Sequence, residues 1–362
     1  MRNPPRLLVV GLSHKTAPVQ MREKAALGPA RTPPLLAGLR GDGVRECAAL
    51  STCNRTELYA VVDEAAAGER LLERALVEHT RLDWPALRSS AYAERDEQAA
   101  RHLFRVSAGL ESMVLGESQI QGQVRAAAVT AAALGTSGPL LKRLFRQATQ
   151  AGRRVRRETA IGTGAVSIPS IAVAIACRAF PRLSGRSALL LGAGEMAEST
   201  ARALLGRGLS ALVVANRTPA AATSLAERFG GRGVPLSALP DELTRADVVI
   251  ASTDSPGPLL TRAQVEPAAG ARRRPLVIVD IAVPRDVDPA IAEIPGVTLY
   301  DIDDLERLAD TNLHVRRREA LQAERIVEEE THRFGAWRQA HAAAPALRRP
   351  GAQGAAVLLS PR

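Results

Sequence analysis

The sequence is poor in cysteine, in aromatic residues and in long apolar runs. Its three cysteines, Cys47, Cys53 and Cys177, are too few for a disulfide framework, and no pair has the spacing of a zinc knuckle. A small secreted scaffold is excluded, and a reducing compartment is expected. Aromatic residues are only 3% of the chain, so the core must be helix-rich and built from alanine and aliphatic side chains. The first apolar run, Leu7 to Val10, is far shorter than a signal sequence. No later run approaches the roughly 20 residues that a membrane-spanning helix needs. The expectation is a soluble cytoplasmic protein with no membrane partner and no metal site.

What is present is length and positive charge. At 362 residues the chain is too long for one ordinary core and fits two domains with an extension. A net charge of +10 and a pI near 10.5 attract polyanions such as RNA, anionic lipid or phosphorylated substrates, without choosing among them.

Arg6 to Leu12 reads as a short strand that ends in the polar loop Ser13 to Pro18. Glu46 to Leu50 and Thr56 to Val62 read as two more strands, which puts Thr52 to Arg55 at a turn where a side chain can meet solvent. Gln98 to Ala108, Gln119 to Leu134 and Leu140 to Arg157 have helical spacing. A glycine-containing stretch, Glu158 to Gly164, marks a hinge. Beyond it, Ser187 to Leu191, Ala211 to Ala215, Asp247 to Ser252 and Leu276 to Asp280 are short apolar runs separated by helices, the pattern of a doubly wound parallel sheet. Val297 to Tyr300 adds a strand. From Asp303 to about Ala344, the positions Leu305, Leu308, Asn312, Val315, Val327, Phe334 and Trp337 read as one long amphipathic helix.

Gly192-Ala193-Gly194-Glu195-Met196-Ala197 follows a strand and opens a helix, as a dinucleotide fingerprint does. Gly192 permits the tight turn, Gly194 lets backbone approach a pyrophosphate, and Ala197 takes the third glycine's place. Where an NAD site carries an acid, this chain reads Asn216-Arg217-Thr218. A guanidinium and a hydroxyl suit a 2′-phosphate, so the expected cofactor is NADPH.

A cysteine at a strand turn beside Arg55 is placed for chemistry, because a nearby cation lowers a thiol pKa. Position alone leaves nucleophile and small buried residue both open. Cys47, on a strand, and Cys177, in an apolar helix, read as core.

Three longer stretches narrow the choice. They are Gly11-Leu12-Ser13-His14-Lys15-Thr16-Ala17-Pro18-Val19, Ser51-Thr52-Cys53-Asn54-Arg55-Thr56-Glu57-Leu58-Tyr59, and Gly109 to Ile120 with the sequence GLESMVLGESQI. Each resembles a signature of the glutamyl-tRNA reductases, and the similarity runs on through Val279 to Asp286, covering roughly residues 6 to 340. The resemblance implies an α/β multidomain fold: an N-terminal α+β catalytic and substrate domain over 1–157, a Rossmann-type NADPH domain over 158–300, a long connecting helix over 301–344 and a loose tail over 345–362. It implies that Cys53 attacks the ester joining glutamate to tRNA(Glu). The resulting thioester is reduced with NADPH to glutamate-1-semialdehyde, the entry to five-carbon tetrapyrrole synthesis.

By the same resemblance Arg55 grips the γ-carboxylate, and Thr52, Asn54, Ser112, Glu117, Ser118, Gln119 and Gln123 line the substrate pocket, with Glu117 or Gln119 on the glutamyl amine. Ser118 stands where the family commonly has proline. His102 matches a histidine suited to moving protons, and His14 shapes the pocket. The implied partners are glutamyl-tRNA(Glu), the glutamate-1-semialdehyde aminotransferase that follows, and a second copy of the chain. The usual dimerisation region is truncated here, and Val327, Phe334 and Trp337 are the positions left to pair two helices.

Seven basic residues lie between Lys142 and Arg157, and Lys142, Arg146, Arg153 and Arg157 share a helical stripe able to follow phosphates. Two other readings compete. A shikimate-type dehydrogenase shares the nucleotide domain and the Asn-Arg-Thr strand end but has no use for the Cys53 motif. A silent RNA-binding relative would not need Cys53, Arg55 and the glycine fingerprint together.

Overall fold

The computed structural model describes residues 4–41, 43–117, 119–162, 167–309 and 317–347. The first half runs β1 (Arg6–Ser13), α1 (Val19–Ala25), α2 (Thr32–Leu39), β2 (Val44–Ser51), β3 (Arg55–Val62), α3 (Ala65–Thr80), α4 (Trp84–Ser90), β4 (Tyr92–Arg95), α5 (Asp96–Ser107), α6 (Gln119–Ala133) and α7 (Pro139–Glu158). The second runs α8 (Ile168–Ala179), β5 (Ser187–Leu191), α9 (Glu195–Leu205), β6 (Ala211–Asn216), α10 (Pro219–Arg228), β7 (Arg232–Pro235), α11 (Leu239–Arg245), β8 (Val248–Ala251), α12 (Arg262–Gly270), β9 (Leu276–Asp280) and β10 (Val297–Tyr300). Two helices follow, α13 (Ile302–Ala309) and α14 (Arg317–Leu347).

The first four strands form an antiparallel sheet in the order β2-β3-β1-β4. Successive side chains point to opposite faces. Leu7, Val9, Leu50, Tyr59 and Val61 enter a core shared with α5, α6, α7 and α14. Leu8, Val10, Leu12, Cys47, Leu58 and Ala60 enter another, shared with α1, α2 and α3. Helices on both faces explain why β1 and β3 are buried along nearly their whole length instead of at alternate residues.

The later strands form a parallel sheet in the order β10-β9-β8-β5-β6-β7. Counted from its first strand, this is the doubly wound dinucleotide order, whose switch point lies between β5 and β8. Ala188, Leu190, Val248 and Ile250 face α8, α9 and α13, whereas Leu189, Leu191, Val249 and Ala251 face α11 and α12.

The helix expected over 303–344 is described as two segments, with Asn312 and Val315 outside the described residues. They serve different cores. Ile302 and Leu305 of α13 pack into the nucleotide-type domain, while Ala323, Ile326, Val327 and Phe334 of α14 pack against α5 and α7. Val327 and Phe334 were expected to be open for pairing with a second chain. They are instead 0% and 1% exposed, because the chain's own helices bury that face. Among the described residues no helix is long and apolar enough to cross a membrane.

Candidate active site

The β2–β3 pairing ends at Ser51 and Thr56, so Thr52, Cys53 and Asn54 form the connecting turn. Thr52 closes it by accepting the Asn54 amide on Oγ1 at 3.1 Å and donating its own amide to the Arg55 carbonyl at 2.8 Å. The neighbouring strand reaches the turn through His14, whose amide donates to the Asn54 carbonyl at 2.8 Å. Gly11 permits this closeness, since a side chain there would stand 2.5 Å from the Thr56 carbonyl.

The turn does not lie open to solvent as its sequence led us to expect. Cys53 is half-buried, and Asn54 and Arg55 are buried. Two elements cover it. From α1, Arg22 donates to the Cys53 carbonyl at 2.9 Å and pairs with Asp303 of α13, joining the cysteine turn to the second half of the chain. The loop after α5 covers the other side. Its glutamate Glu111 accepts from Lys15 at 2.5 Å and Arg105 at 2.8 Å, and its backbone carbonyl accepts from Arg55. Gly116 is required in that loop: its φ is +83°, and a Cβ would lie 2.2 Å from the Ile161 carbonyl.

Beneath the turn sits a carboxylate to which the sequence pattern gave no role. Glu57 on β3 is fully buried and accepts from Arg55 at 2.7 Å, Tyr59 at 2.6 Å, Tyr92 at 2.6 Å and His102 at 2.8 Å. Burial opposes its charge, but His102, Arg55 and these hydrogen bonds outweigh burial and hold it well below the ordinary carboxylate range. His102 therefore has Nε2 committed to Glu57, and its ring lies against Tyr92 with centroids 5.2 Å apart.

The electrostatics of the thiol differ from the sequence expectation. Burial, and after it the charge of Glu117, push the Cys53 thiol up to about 12 against the opposing pull of Arg22 and Arg55. Arg55 cannot dominate because Glu57 already compensates it. Glu117 is itself pushed up to about 7 by burial, with Arg55 opposing. His14, lowered to about 3 by burial and by Arg55, Arg22 and Lys15, is a neutral imidazole.

Among the described residues, three buried polar atoms around the turn have no partner: Asn54 Oδ1, Arg55 Nε and His14 Nδ1. Native interiors rarely leave such groups unpaired, and a polar ligand would satisfy them. Ser112 is buried in the covering loop; Thr52, Glu117, Gln119 and Gln123 are half-buried, and Ser118 lies outside the described residues. Cys47 is fully buried on β2 with its thiol pushed up to about 11, chiefly by burial; Cys177 lies half-buried on α8.

The glycine fingerprint lies at the switch point. Gly192 has φ +108°, and a Cβ there would meet the Ser252 carbonyl at 2.8 Å. A side chain at Gly194 would meet no protein atom within 4 Å, and α9 starts there without a side-chain cap. Open space over uncapped amides fits a pyrophosphate. Ala197 is buried against the sheet. Arg217 and Thr218 are exposed past the tip of β6, and Asn216 Nδ2 donates to the Thr218 carbonyl at 3.4 Å. Among the described residues Arg217 has no ion pair, so it is available to a phosphate.

Comparison with known proteins agrees with this division. Residues 10–159 match the family model for the glutamyl-tRNA(Glu) reductase N-terminal domain, and residues 174–308 match that for shikimate/quinate 5-dehydrogenase. A glutamyl-tRNA reductase of Syntrophotalea carbinolica is 46% identical over 347 residues, covering 94% of this chain and 78% of that protein. One from Rubrobacter xylanophilus is 44% identical over 350 residues, covering 96% and 81%. The solved glutamyl-tRNA reductase of Methanopyrus kandleri aligns with a TM-score of 0.49 at 38% identity, covering 93% of this chain and 80% of that one. Identity of this extent, spanning both the cysteine turn and the nucleotide fold, places the chain in the glutamyl-tRNA reductase family.

Proposed function

We propose that the chain carries out, in the cytoplasm, the NADPH-dependent reduction of glutamyl-tRNA(Glu) to glutamate-1-semialdehyde through a thioester on Cys53. The observation that carries this reading is the Cys53 turn itself, half-covered and surrounded by buried polar atoms without protein partners. Residues 1–157 act as the catalytic part and 158–300 as the nucleotide part. Hand-over of the product to the aminotransferase that follows, and a homodimer, belong to the same reading. Because Val327 and Phe334 of α14 are already packed internally, a dimer would use other residues.

A thiol near 12 is protonated at neutral pH and needs an acceptor. Glu117 raises the thiol by its charge and titrates near 7, so it takes the proton as sulfur attacks the ester carbon. The carbon–sulfur bond forms, the ester carbon–oxygen bond breaks, and the acid form of Glu117 returns the proton to the departing tRNA hydroxyl. Arg55 offers its free Nε to the γ-carboxylate, and Gln119 takes the glutamyl amine. Thr52, Asn54, Ser112, Ser118 and Gln123 complete the pocket. His102 acts through Glu57, holding Arg55 in place. Gly192 to Ala197 would hold the nicotinamide cofactor, which would supply hydride to the thioester carbon. The carbon–sulfur bond then breaks, giving aldehyde and a regenerated Cys53.

Two measurements test these assignments. Single-turnover acylation by the wild type should fall about tenfold per pH unit below pH 7 and flatten above it, while Glu117→Gln should be slow and flat across that range. A wild-type rate independent of pH would remove Glu117 from the role. For the cofactor, Arg217→Ala should raise the KM for NADPH by roughly 10- to 100-fold, the loss of a charge-assisted phosphate contact, and leave the KM for NADH unchanged. Equal use of both cofactors by the wild type would contradict the NADPH assignment.

A further inference from the structure

The seven basic residues of α7 divide into two sets. Arg143, Arg154 and Arg156 are engaged within the protein. Arg143 lies 5.4 Å from the Trp337 ring centroid, Arg154 pairs with Glu158, Glu329 and Glu330 at 3.2, 2.6 and 3.2 Å, and Arg156 donates to the Glu117 and Ser107 carbonyls at 3.4 Å each. Lys142, Arg146, Arg153 and Arg157 are exposed. Arg157 pairs with Glu158 at 2.9 Å. Among the described residues, Lys142, Arg146 and Arg153 have no carboxylate partner.

Helical spacing places these four on one stripe, which extends about 22 Å at 1.5 Å per residue. Leu141, Leu144, Ala148, Ala151 and Val155 are buried on the opposite side, so packing fixes which face meets solvent. An ordinary solvated face mixes charges, since like charges four residues apart repel. The only acidic residue on α7 is Glu158, at its last position. A polyanion lying along the stripe would relieve that repulsion.

The stripe also has a direction relative to the catalytic turn. Arg156 ties the last turns of α7 to the carbonyl of Glu117. Gly152 packs so tightly that a Cβ would stand 2.4 Å from the Ser107 carbonyl, where the covering loop begins. Arg153 and Arg157 therefore lie at the end of α7 that is tied to the pocket loop, and Arg146 and Lys142 lead away from that end.

Building on the function proposed above, we infer that this stripe carries the phosphate backbone of the tRNA acceptor stem while the aminoacyl end enters the Cys53 pocket. The contacts are to phosphates and do not read sequence. Discrimination of the tRNA must reside elsewhere.

The test uses the full chain with Lys142, Arg146 and Arg153 all changed to glutamate, and a second variant with all three changed to glutamine. Three phosphate contacts contribute roughly 2 to 3 to the log–log salt slope, so between about 50 and 200 mM salt wild-type affinity for glutamyl-tRNA should fall about thirtyfold more than that of either variant. Acylation by a glutamyl ester of a short oligonucleotide, too small to reach the stripe, should be unchanged. An equal charge change at exposed positions of the nucleotide-binding half, Arg178→Glu, Arg182→Glu and Arg207→Glu together, should leave the salt slope near wild type. Unchanged slopes in the α7 variants, or equal losses in the control, would overturn the stripe. If the wild type binds with the steep slope and never forms an acyl-enzyme, the stripe stands and the function proposed above falls.

Discussion

Replacing Cys53 with serine should abolish the acyl-enzyme and lower turnover on the order of a thousandfold or more, with little change in melting temperature. The size of the effect follows from sulfur chemistry. A serine at this position could at best exchange one oxygen ester for another, which gains no activation, and an oxygen ester is a poorer hydride acceptor than a thioester. The serine hydroxyl is also harder to deprotonate than a thiol, in a pocket where burial already opposes the anion. Stability should be nearly untouched because the side chain is small, half-buried and only one atom different. A serine variant that retained measurable reduction would mean that hydride is delivered to the tRNA ester directly.

Glu57→Ala should destabilise the N-terminal half by about 3–5 kcal/mol, because it leaves the Arg55 guanidinium buried and unpaired. Arg55 is 2% exposed, so water is a poor substitute for the lost charge partner. Tyr59, Tyr92 and His102 would lose their acceptor as well. Activity should fall with stability, since Arg55 is the substrate anchor and its orientation depends on this carboxylate. Glu57→Gln separates charge from shape, and pH gives the sign. The carboxyl is held below its unfolded value of about 4.5, so its contribution is fully present above that value and is lost as pH falls through the lower folded value. The stability difference between wild type and the glutamine variant should therefore be constant from about pH 5 upward and shrink in acid. A difference that grew in acid would show that Glu57 is protonated in the native state.

Much of this arrangement was legible in the chain. The runs Ser187 to Leu191 and Leu276 to Asp280 coincide with β5 and β9, since buried parallel strands carry unbroken apolar residues, and Val297 to Tyr300 coincides with β10, a half-exposed edge strand. The turn, read as Thr52 to Arg55 from the strands on either side, spans Thr52 to Asn54, with Arg55 opening β3. β7 was missed because it is four residues long and contains Gly233 and Pro235, both poor strand formers. Gly233 is there for packing: a Cβ would come within 2.4 Å of Thr223.

What the chain could not disclose was how buried side chains compensate one another. Arg55 beside Cys53 reads as a cation able to lower a thiol pKa, but the partner that absorbs its charge lies two residues on, on the same face of β3. The ring that helps hold that partner comes from His102, far along the chain. The glutamate that precedes the apolar run Leu58 to Val62 was the available signal for Glu57, and periodicity assigns no role to such a residue. Similarly, Val327 and Phe334 read as an apolar stripe, but a stripe does not say whether it meets this chain or another. Here it meets α5 and α7.

The central claim is that glutamate passes from tRNA to the sulfur of Cys53 before reduction. It is tested most directly by rapid-quench single turnover of labelled glutamyl-tRNA with wild-type and Cys53→Ser protein, with and without NADPH. The account predicts a thiol-labile acyl-enzyme on the wild type alone, accumulating without NADPH and converting to the semialdehyde when it is added. Semialdehyde formation with no acyl-enzyme detectable at any time, or equal labelling of the serine variant, would contradict it.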